Sequence, residues 1–598
     1  YSNNNSTNES WATERTYYIA NLYRGYDFNS VTPTSADFKA AQLPFGGILY
    51  TNDNNQYSYN IQNKLQFSKA FNPDNRLNAL LGMELRSSTA KGTANKVWGY
   101  VPDRGERIVA PTIPSEVITP NNPPTGWGIL GDIYSRGWQR TDNTNNFLSF
   151  FATFAYSFKN RYVVNANVRN DASNVFGQDI NHRIDPTYSF GLSWRASEEA
   201  FFQKHLKWIT TLNFRGTFGI QGNALTRESP ELILSQQGVQ PGYNRYFSTI
   251  GQIPNPYLSW ERTRNWNFGV DLELFRMFYM NLEYYTRRSN AVITVDLPFE
   301  YGIDDMKRNG GIIYNRGIEY TLSFTPIQKR DFSLNINLNA SKNWNKGGET
   351  KIDRNTAMYL RGGSTQILKE GYPLSAFWSY SFAGLDGSNG KPMFNYVEVP
   401  DEEKSKSIDP TTYLVYSGET EPYFTGGLGF SFRYKSLPLN TSFSLLLGSK
   451  KRLPSPYSDF QGSGSMMPDP TKNVNRDLLN RWQKPGDEVY TNIPGLPTWP
   501  IEIGWTLPNT DSAESAIEMW EKSDAMVVSG SFLRCRNIGL SWQMKKEWCD
   551  KIHAKNLAIN FNMDNIFVIA SKRFNGFDPE LENSIMPRSF SLGLNIGF

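Results

Sequence analysis

Residues 588–598 read RSFSLGLNIGF, and this stretch decides the fold class. Successive side chains of an extended strand point to opposite faces, so one face is small or polar while the other carries Phe590, Leu592, Leu594, Ile596 and Phe598. A wall between lipid and water needs this alternation in every strand. The stretch therefore predicts one strand of a β-barrel, and the alternative interpretation is the last strand of a soluble sandwich.

The same alternation repeats along the whole chain. In residues 148–158 (LSFFATFAYSF) every second position is apolar, and in residues 332–341 (FSLNINLNAS) the opposite row is asparagine and serine. A dry protein core would not accept that row without a partner for each amide. The pattern predicts an all-β, antiparallel barrel with about 18 strands in this chain. The less regular strands are predicted at 11–22, 374–385 and 391–399.

The connections between the predicted strands alternate between short and long. Short ones lie at 72–74, 159–160, 328–330 and 435–438, and the long ones include 291–314 together with 23–55, 89–144, 221–257, 345–373 and 449–531. All long connections therefore lie at one end of the sheet. Outer-membrane barrels show this asymmetry, with short periplasmic turns and long extracellular loops, whereas a Greek-key sandwich has no reason to sort its loops. The connections thus favour a transmembrane barrel that occupies residues 1–598.

Composition excludes several other classes of protein. The 598 residues contain 61 basic and 57 acidic side chains, a net charge of +4, which gives no electrostatic footprint for nucleic acid. No apolar run is long enough for a membrane helix. The two cysteines, Cys535 and Cys549, match no metal-binding spacing and are interpreted as isolated residues, although a disulfide stays open. With three scattered histidines, we predict no metal site, no cofactor and no enzyme.

Two resemblances then become specific. The aromatic C-terminus after an alternating strand resembles the signal by which Gram-negative outer-membrane barrels are recognised for insertion. Six segments, in order along the chain, resemble the SusC/RagA group of TonB-dependent outer-membrane transporters: 161–171 (RYVVNANVRND), 255–263 (NPYLSWERT), 315–320 (NRGIEY), 370–373 (EGYP), 531–539 (SFLRCRNIG) and 574–580 (FNGFDPE). Each segment is weak alone, but together they cover most of the chain.

The resemblance implies more than this chain contains. Members of the group have a barrel of about 22 strands that is filled by an N-terminal plug, and neither the plug nor the first strands are expected within these residues. The resemblance also implies energy from TonB–ExbB–ExbD, a SusD-like surface lipoprotein that closes over the extracellular mouth, and a dimer of transporter–lipoprotein pairs. It places the protein in the outer membrane of a Gram-negative bacterium, as a multi-pass barrel.

The function implied by the resemblance is active import of oligosaccharides or other large nutrients. Oligopeptide import by the same architecture and a passive 18-stranded sugar porin stay open as alternatives, as does an adhesin that binds protein rather than solute. Aromatic side chains of the long loops are the candidate substrate-binding residues, since their rings could stack on sugars: Trp127, Trp138, Tyr243, Tyr246, Tyr457, Phe460 and Trp499. The simpler interpretation is that these rings pack within the folded loops or lie in the interfacial girdle.

Overall fold

The structure is a computed structural model, and β-strands dominate it. It describes residues 1–13, 15–16, 19, 46–108, 138–174, 185–223, 231–240, 245–297, 299–303, 305–349, 357–362, 368–395, 410–457, 473–496, 515–581 and 584–598.

The strands, in chain order, are β1 (Ser2–Ala12), β2 (Gly47–Asn72), β3 (Asn75–Val101), β4 (Arg107–Ile108), β5 (Gln139–Phe158), β6 (Tyr162–Ser173), β7 (Asp185–Arg195), β8 (Ile209–Asn223), β9 (Ile233–Gln240), β10 (Arg245–Gln252), β11 (Glu261–Leu274), β12 (Phe278–Asp296), β13 (Asp305–Gln328), β14 (Phe332–Gly347), β15 (Ala376–Tyr380), β16 (Phe382–Leu385), β17 (Pro392–Phe394), β18 (Leu414–Glu419), β19 (Phe424–Tyr434), β20 (Leu437–Leu447), β21 (Lys450–Arg452), β22 (Val527–Ser529), β23 (Phe532–Gln543), β24 (Asn556–Ile569) and β25 (Ser589–Gly597).

The helices are short. The α-helices are α1 (Ala200–His205), α2 (Ala357–Leu360), α3 (Ala516–Glu521) and α4 (Lys546–Lys551). The 3-10 helices are Pro102–Arg104, Ala196–Glu198, Phe299–Tyr301, Pro410–Thr412, Arg476–Asn480, Asp487–Val489, Asp524–Met526 and Lys572–Phe574.

One antiparallel sheet of 17 strands contains most of the chain. Each strand pairs with the next in the order β1, β2, β3, β5, β6, β7, β8, β11, β12, β13, β14, β19, β20, β23, β24, β25, and the short β4 adds to the far end of β3. Among the described residues, β1 and β25 are the two edges. This up-and-down order confirms the predicted antiparallel barrel architecture.

The strands extend well into the predicted long loops. β2 and β3 have 26 and 27 residues and pair from the 73–74 turn to Gly47 and Tyr100, whereas about 9–11 residues suffice to cross a bilayer. Residues 47–55 and 89–101, predicted as loop, are therefore strand. The predicted loop at 291–314 is also wrong in extent, because β12 and β13 pair up to Asp296 and Asp305.

Two further predictions are only partly right. The first strand is Ser2–Ala12 and not 11–22, because its backbone pairs with β2 although its asparagine-rich sequence has no apolar face; residues 14, 17–18 and 20–22 lie outside the described ranges. The segments predicted at 374–385 and 391–399 do pair across 386–390, as β16 with β17, but they lie outside the large sheet, in two small sheets with β15 and β18. All five residues of β15 are buried, so its largely apolar sequence has the packing of a core strand.

The apolar rows lie on the exposed face of the large sheet. Phe150, Leu192, Phe268 and Leu592 are 52%, 51%, 51% and 77% exposed, although each belongs to a well-paired strand. An exposed apolar patch of this extent is not found on ordinary soluble proteins. The opposite face carries the polar side chains, so the two faces of the sheet contact different media.

Candidate functional site

Charged side chains on the polar face form a cluster across β3, β5 and β6. The Arg169 guanidinium donates from Nε to both carboxylate oxygens of Asp171, at 2.8 and 2.9 Å. Its Nη2 donates to Glu84 at 3.1 Å and to Ser149 at 2.8 Å. The register places Glu84 opposite Ser149, and Ser149 opposite Asp171, so three neighbouring strands build the cluster.

A pocket of about 200 Å³ opens beside this cluster, and Arg86, Phe147 and Trp260 complete its lining. Trp260 comes from the segment before β11, whose backbone is fixed because Ser259 and Asn309 exchange two hydrogen bonds of 2.9 and 2.8 Å. Guanidinium donors, carboxylate acceptors and aromatic rings together suit a neutral, hydroxylated solute. The pocket is therefore chemically able to contact a sugar.

A second cluster lies on the same face, across β8, β11 and β12. Arg215 donates to Glu283 at 2.8 Å and lies 3.4 Å from Asp271. Asn267 donates to Glu283 and Asn281 to Asp271, at 3.2 and 2.7 Å. These networks satisfy charges inside strands only because the face is polar throughout. They would line a water-filled lumen rather than a dry core.

The connections 348–423 and 448–531 fold together, and we name their described residues the paired loops. Their strands form small sheets, β15 with β18 and β21 with β22. Two buried apolar clusters form their core. Met519 of the second connection packs with residues of the first: Leu360, Ala376, Trp378, Tyr380 and Leu414. The other cluster belongs to the second connection, and Phe382 and Phe394 of the first pack against it: Tyr457, Leu478, Ile517, Trp520 and Met526. Each cluster therefore contacts both connections, so the paired loops have a core of their own.

Arg452 joins the two halves of the paired loops. Its guanidinium donates to the backbone carbonyls of Arg361 and Trp378 and to Oγ of Ser379. Burial, with a smaller effect of Arg361, lowers the pKa of Arg452 to about 10. Within the described part of the chain, backbone carbonyls and the Ser379 hydroxyl, and no carboxylate, accept hydrogen bonds from this guanidinium.

The aromatic residues predicted to bind substrate do not form one site in the described part of the chain. Tyr457 is 4% exposed in the core of the paired loops, and its hydroxyl donates to the Pro494 carbonyl. Trp138 is 57% exposed just before β5, and Tyr246 belongs to β10. Residues outside the described ranges are Trp127, Tyr243, Phe460 and Trp499.

Tyr457→Phe separates a packing role from a solute-binding role. The ring stays buried, so we expect a loss of about 1 kcal/mol from the paired loops, the net value of one hydrogen bond, and an unchanged affinity for any solute that the protein binds. Thermal denaturation and solute titration of the purified protein measure the two quantities. A matched control is Tyr490→Phe, whose ring is 89% exposed. A drop in solute affinity for Tyr457→Phe alone would contradict the packing role.

Sequence reasoning missed the charged clusters. Each of Glu84, Arg169 and Asp171 lies at a polar position of an alternating strand, but their proximity depends on the register of three strands. Strand register is set by turn length and by pairing with the neighbouring strand, and the local sequence pattern does not reveal it. The segment 161–171, which carries one of the family resemblances, includes Arg169 and Asp171, and this is the one sequence signal that points to the cluster.

The terminal strand and the cysteines lie as the sequence indicated. Phe590, Leu592, Leu594 and Ile596 of β25 are 63%, 77%, 60% and 42% exposed, and Phe598, which directly follows the strand, is 76% exposed. β25 pairs with β24. Cys535 and Cys549 are both buried and both free thiols. In the described ranges no group of three His, Cys, Asp or Glu side chains could hold a metal ion. Among these residues, no helix has the length and apolar character to cross a membrane.

Comparisons with known proteins give the family. The family model described as TonB dependent receptor-like, beta-barrel matches residues 1–448. TonB-dependent receptor P26 of Formosa agariphila is 24% identical over 585 residues, covering 91% of this chain and 53% of the relative. TonB-dependent receptor SusC of Bacteroides thetaiotaomicron is 25% identical over 486 residues, covering 76% of this chain and 44% of SusC.

A solved structure of the RagAB peptide transporter has the same fold, with a TM-score of 0.69 and 21% identity over 92% of this chain and 56% of that one. The chain spans about half the length of the curated relatives it matches. These findings confirm the resemblance to the SusC/RagA group and the outer-membrane location that it implied. The chain therefore belongs to the TonB dependent receptor-like β-barrel family, and its exposed apolar face is the one that meets the lipid of the outer membrane.

Proposed function

We propose that this barrel serves a SusC-like, TonB-dependent importer that carries oligosaccharides or other large nutrients across the outer membrane. The observation that carries the proposal is the polar face of the sheet, where the Arg169 and Arg215 clusters give a hydrated wall with both donors and acceptors. The pocket beside Arg169 adds aromatic rings to that wall. Such a lumen passes hydroxylated solutes without binding them irreversibly.

The proposal includes a SusD-like lipoprotein on the extracellular side, TonB–ExbB–ExbD as the energy source, and a dimer of transporter–lipoprotein pairs. The paired loops support the lipoprotein, because they combine a folded core with exposed apolar side chains. Leu479 and Val489 lie on two 3-10 helices, Tyr490 directly follows the second, and the three residues are 70%, 78% and 89% exposed. Exposed apolar side chains on an otherwise well-packed unit favour a protein partner.

The experiment compares uptake of fluorescent oligosaccharides by cells with and without a functional TonB protein. Active import predicts uptake that stops when TonB is removed, and it predicts that the purified protein conducts no steady ion current in a planar bilayer. Fluorescent oligopeptides in the same assay separate the two substrate classes. Uptake that persists without TonB, together with steady conductance, would instead establish a passive porin.

We further propose that the row from Phe590 to Phe598 acts as the membrane-assembly signal. Its support is the position of Phe598 at the end of an exposed apolar row on the lipid-facing side of β25. Removing Phe598 should lower the amount of folded protein in the outer membrane several-fold, while Ser591→Ala on the opposite face should not. Equal amounts of folded protein for both variants, read by heat-modifiable gel mobility, would disprove this role.

A further inference from the structure

A glycine interrupts the lipid-facing row of large side chains across four strands. The register places Leu192 opposite Gly216, Gly216 opposite Phe268, and Phe268 opposite Tyr284. In the next row Trp194 lies opposite Phe214, and their rings stack with centroids 5.6 Å apart. Since Gly216 has no side chain, the large side chains of the neighbouring strands surround a recess at its position. We name this recess, of about 580 Å³, the Gly216 groove.

The lining of the groove is apolar and faces the membrane. Leu192, Phe268 and Tyr284 are 51%, 51% and 40% exposed on the face that meets lipid. The groove occupies two neighbouring lipid-facing rows that cross β6, β7, β8, β11 and β12, one through Trp194 and Phe214 and the other through Leu192 and Gly216. Four steps of about 4.8 Å between strands, at a strand tilt of about 45°, give the groove a depth of roughly 14 Å along the membrane normal. That depth is about one leaflet of a bilayer whose hydrocarbon core is about 30 Å thick.

Polar groups mark the end of the groove at the short turns. Glu199 accepts hydrogen bonds from the Tyr162 hydroxyl at 2.6 Å, from Trp194 Nε1 at 3.2 Å and from Arg161 at 2.9 Å. Tyrosine and tryptophan with hydrogen-bonded polar tips are typical of the headgroup level. This end therefore lies at the membrane–water interface, on the periplasmic side where barrels have short turns.

Cations surround this end of the groove. The turn 159–161 and the connection 196–208 carry Lys159, Arg161, Lys204 and Lys207, and the three lysines are exposed. They outnumber the acidic residues of the same segments, Glu198 and Glu199. A phosphate at headgroup level would meet donors of opposite charge. A second copy seated symmetrically on the same groove would bring these basic segments against each other, which is unfavourable. The charge pattern therefore favours a phosphate-bearing lipid over a second copy of the chain.

We propose that the Gly216 groove binds one glycerophospholipid of the periplasmic leaflet, with an acyl chain on Gly216 and the phosphate among the cations of the turns. A smooth barrel wall gives lipid only fluid contact, whereas a recess one leaflet deep buries methylene groups on several sides. The site is independent of the imported solute, since it lies on the opposite face of the sheet from the Arg169 and Arg215 clusters.

Gly216→Leu tests the site because a side chain there would fill the groove. A Cβ at Gly216 would contact only ring carbons of Phe268, at 3.7 and 3.8 Å, which is ordinary van der Waals contact. Ala152→Leu is the matched control: Ala152 lies on the lipid-facing row between Phe150 and Phe154 and does not line the groove. The full-length protein from outer membranes is delipidated in detergent and titrated with palmitoyl-oleoyl phosphatidylethanolamine, and native mass spectrometry counts bound lipid.

We expect one retained lipid for the wild type and for Ala152→Leu, and binding weakened by about tenfold or more for Gly216→Leu, the value of a few lost methylene contacts. Equal binding by Gly216→Leu, or no retained lipid on the wild type, overturns the proposal. So does a retained mass of lipid A, or a dimer that Gly216→Leu breaks without a change in lipid count. If Gly216→Leu does not assemble, Val270→Phe fills the groove from the neighbouring row and gives the same readout.

Discussion

Arg534→Met alone should destabilise the barrel by about 3–5 kcal/mol, because it leaves a buried carboxylate without its cation. Arg534 on β23 and Asp578 in the last long connection are 2% and 4% exposed. One guanidinium nitrogen donates to both Asp578 oxygens, at 2.6 and 2.7 Å. The pair thus fixes the connection between β24 and β25 against the wall of the barrel.

The double variant Arg534→Met with Asp578→Leu should recover part of that stability, since it removes both members of the buried pair. Glu580, which also lies 2.9 Å from the Arg534 guanidinium, keeps its ion pair with Arg536 in this variant. Denaturant unfolding of the purified protein, followed by heat-modifiable gel mobility, measures each variant. Arg140→Met is the control, because Arg140 and Asp142 form a 3.6 Å pair that is 62% and 41% exposed and should contribute about 0–1 kcal/mol. Equal losses for Arg534→Met and Arg140→Met would refute the importance of the buried pair.

Trp520→Ala should unfold the paired loops while the barrel stays intact. Trp520 is 1% exposed, packs edge to face on Tyr457 with centroids 6.1 Å apart, and donates from Nε1 to the Asn492 carbonyl at 2.8 Å. Truncating a buried tryptophan costs about 3–5 kcal/mol, a large share of what so small a core can supply. The strands of the large sheet share no part of that core, so their stability should not change.

Hydrogen exchange measured by mass spectrometry tests this prediction strand by strand. Protection should fall in β16 and β17, whose Phe382 and Phe394 pack against the Trp520 cluster, and persist in β5 and β6. Trp138→Ala, at a side chain that is 57% exposed, provides the control and should change neither pair of strands. Unchanged protection of β16 and β17 in Trp520→Ala would show that the paired loops do not depend on this core.

The sequence predicted the barrel wherever one face of a strand is apolar. In residues 588–598 and 148–158 apolar and polar side chains alternate, because lipid contacts one face of the strand and water the other. This alternation can be recognised within a single stretch of sequence. β1 shows the limit, because SNNNSTNESWA has no apolar row and becomes a strand through its pairing with β2. β15 shows the converse, since AFWSY looks like a membrane strand but is buried in the paired loops.

The candidate site was less predictable than the fold. Local pattern identified polar rows, yet it could not say that Arg169 would meet Glu84, because 85 residues separate them along the chain. It also could not distinguish an aromatic ring that is available to bind a solute from one that packs in a core. Tyr457 packs in a core. Burial is a property of the tertiary arrangement, so residue type alone does not determine it.

The common core of the paired loops constrains how this surface can diversify. Trp378 and Met519 belong to different connections, which are separated along the chain by strands of the barrel. Each side chain is nevertheless shielded from water by the segment that carries the other. Surface loops that fold independently can change one at a time. Here a substitution on one side must be matched on the other, so we expect the two connections to be exchanged between strains as a single unit, and a graft of one alone to misfold.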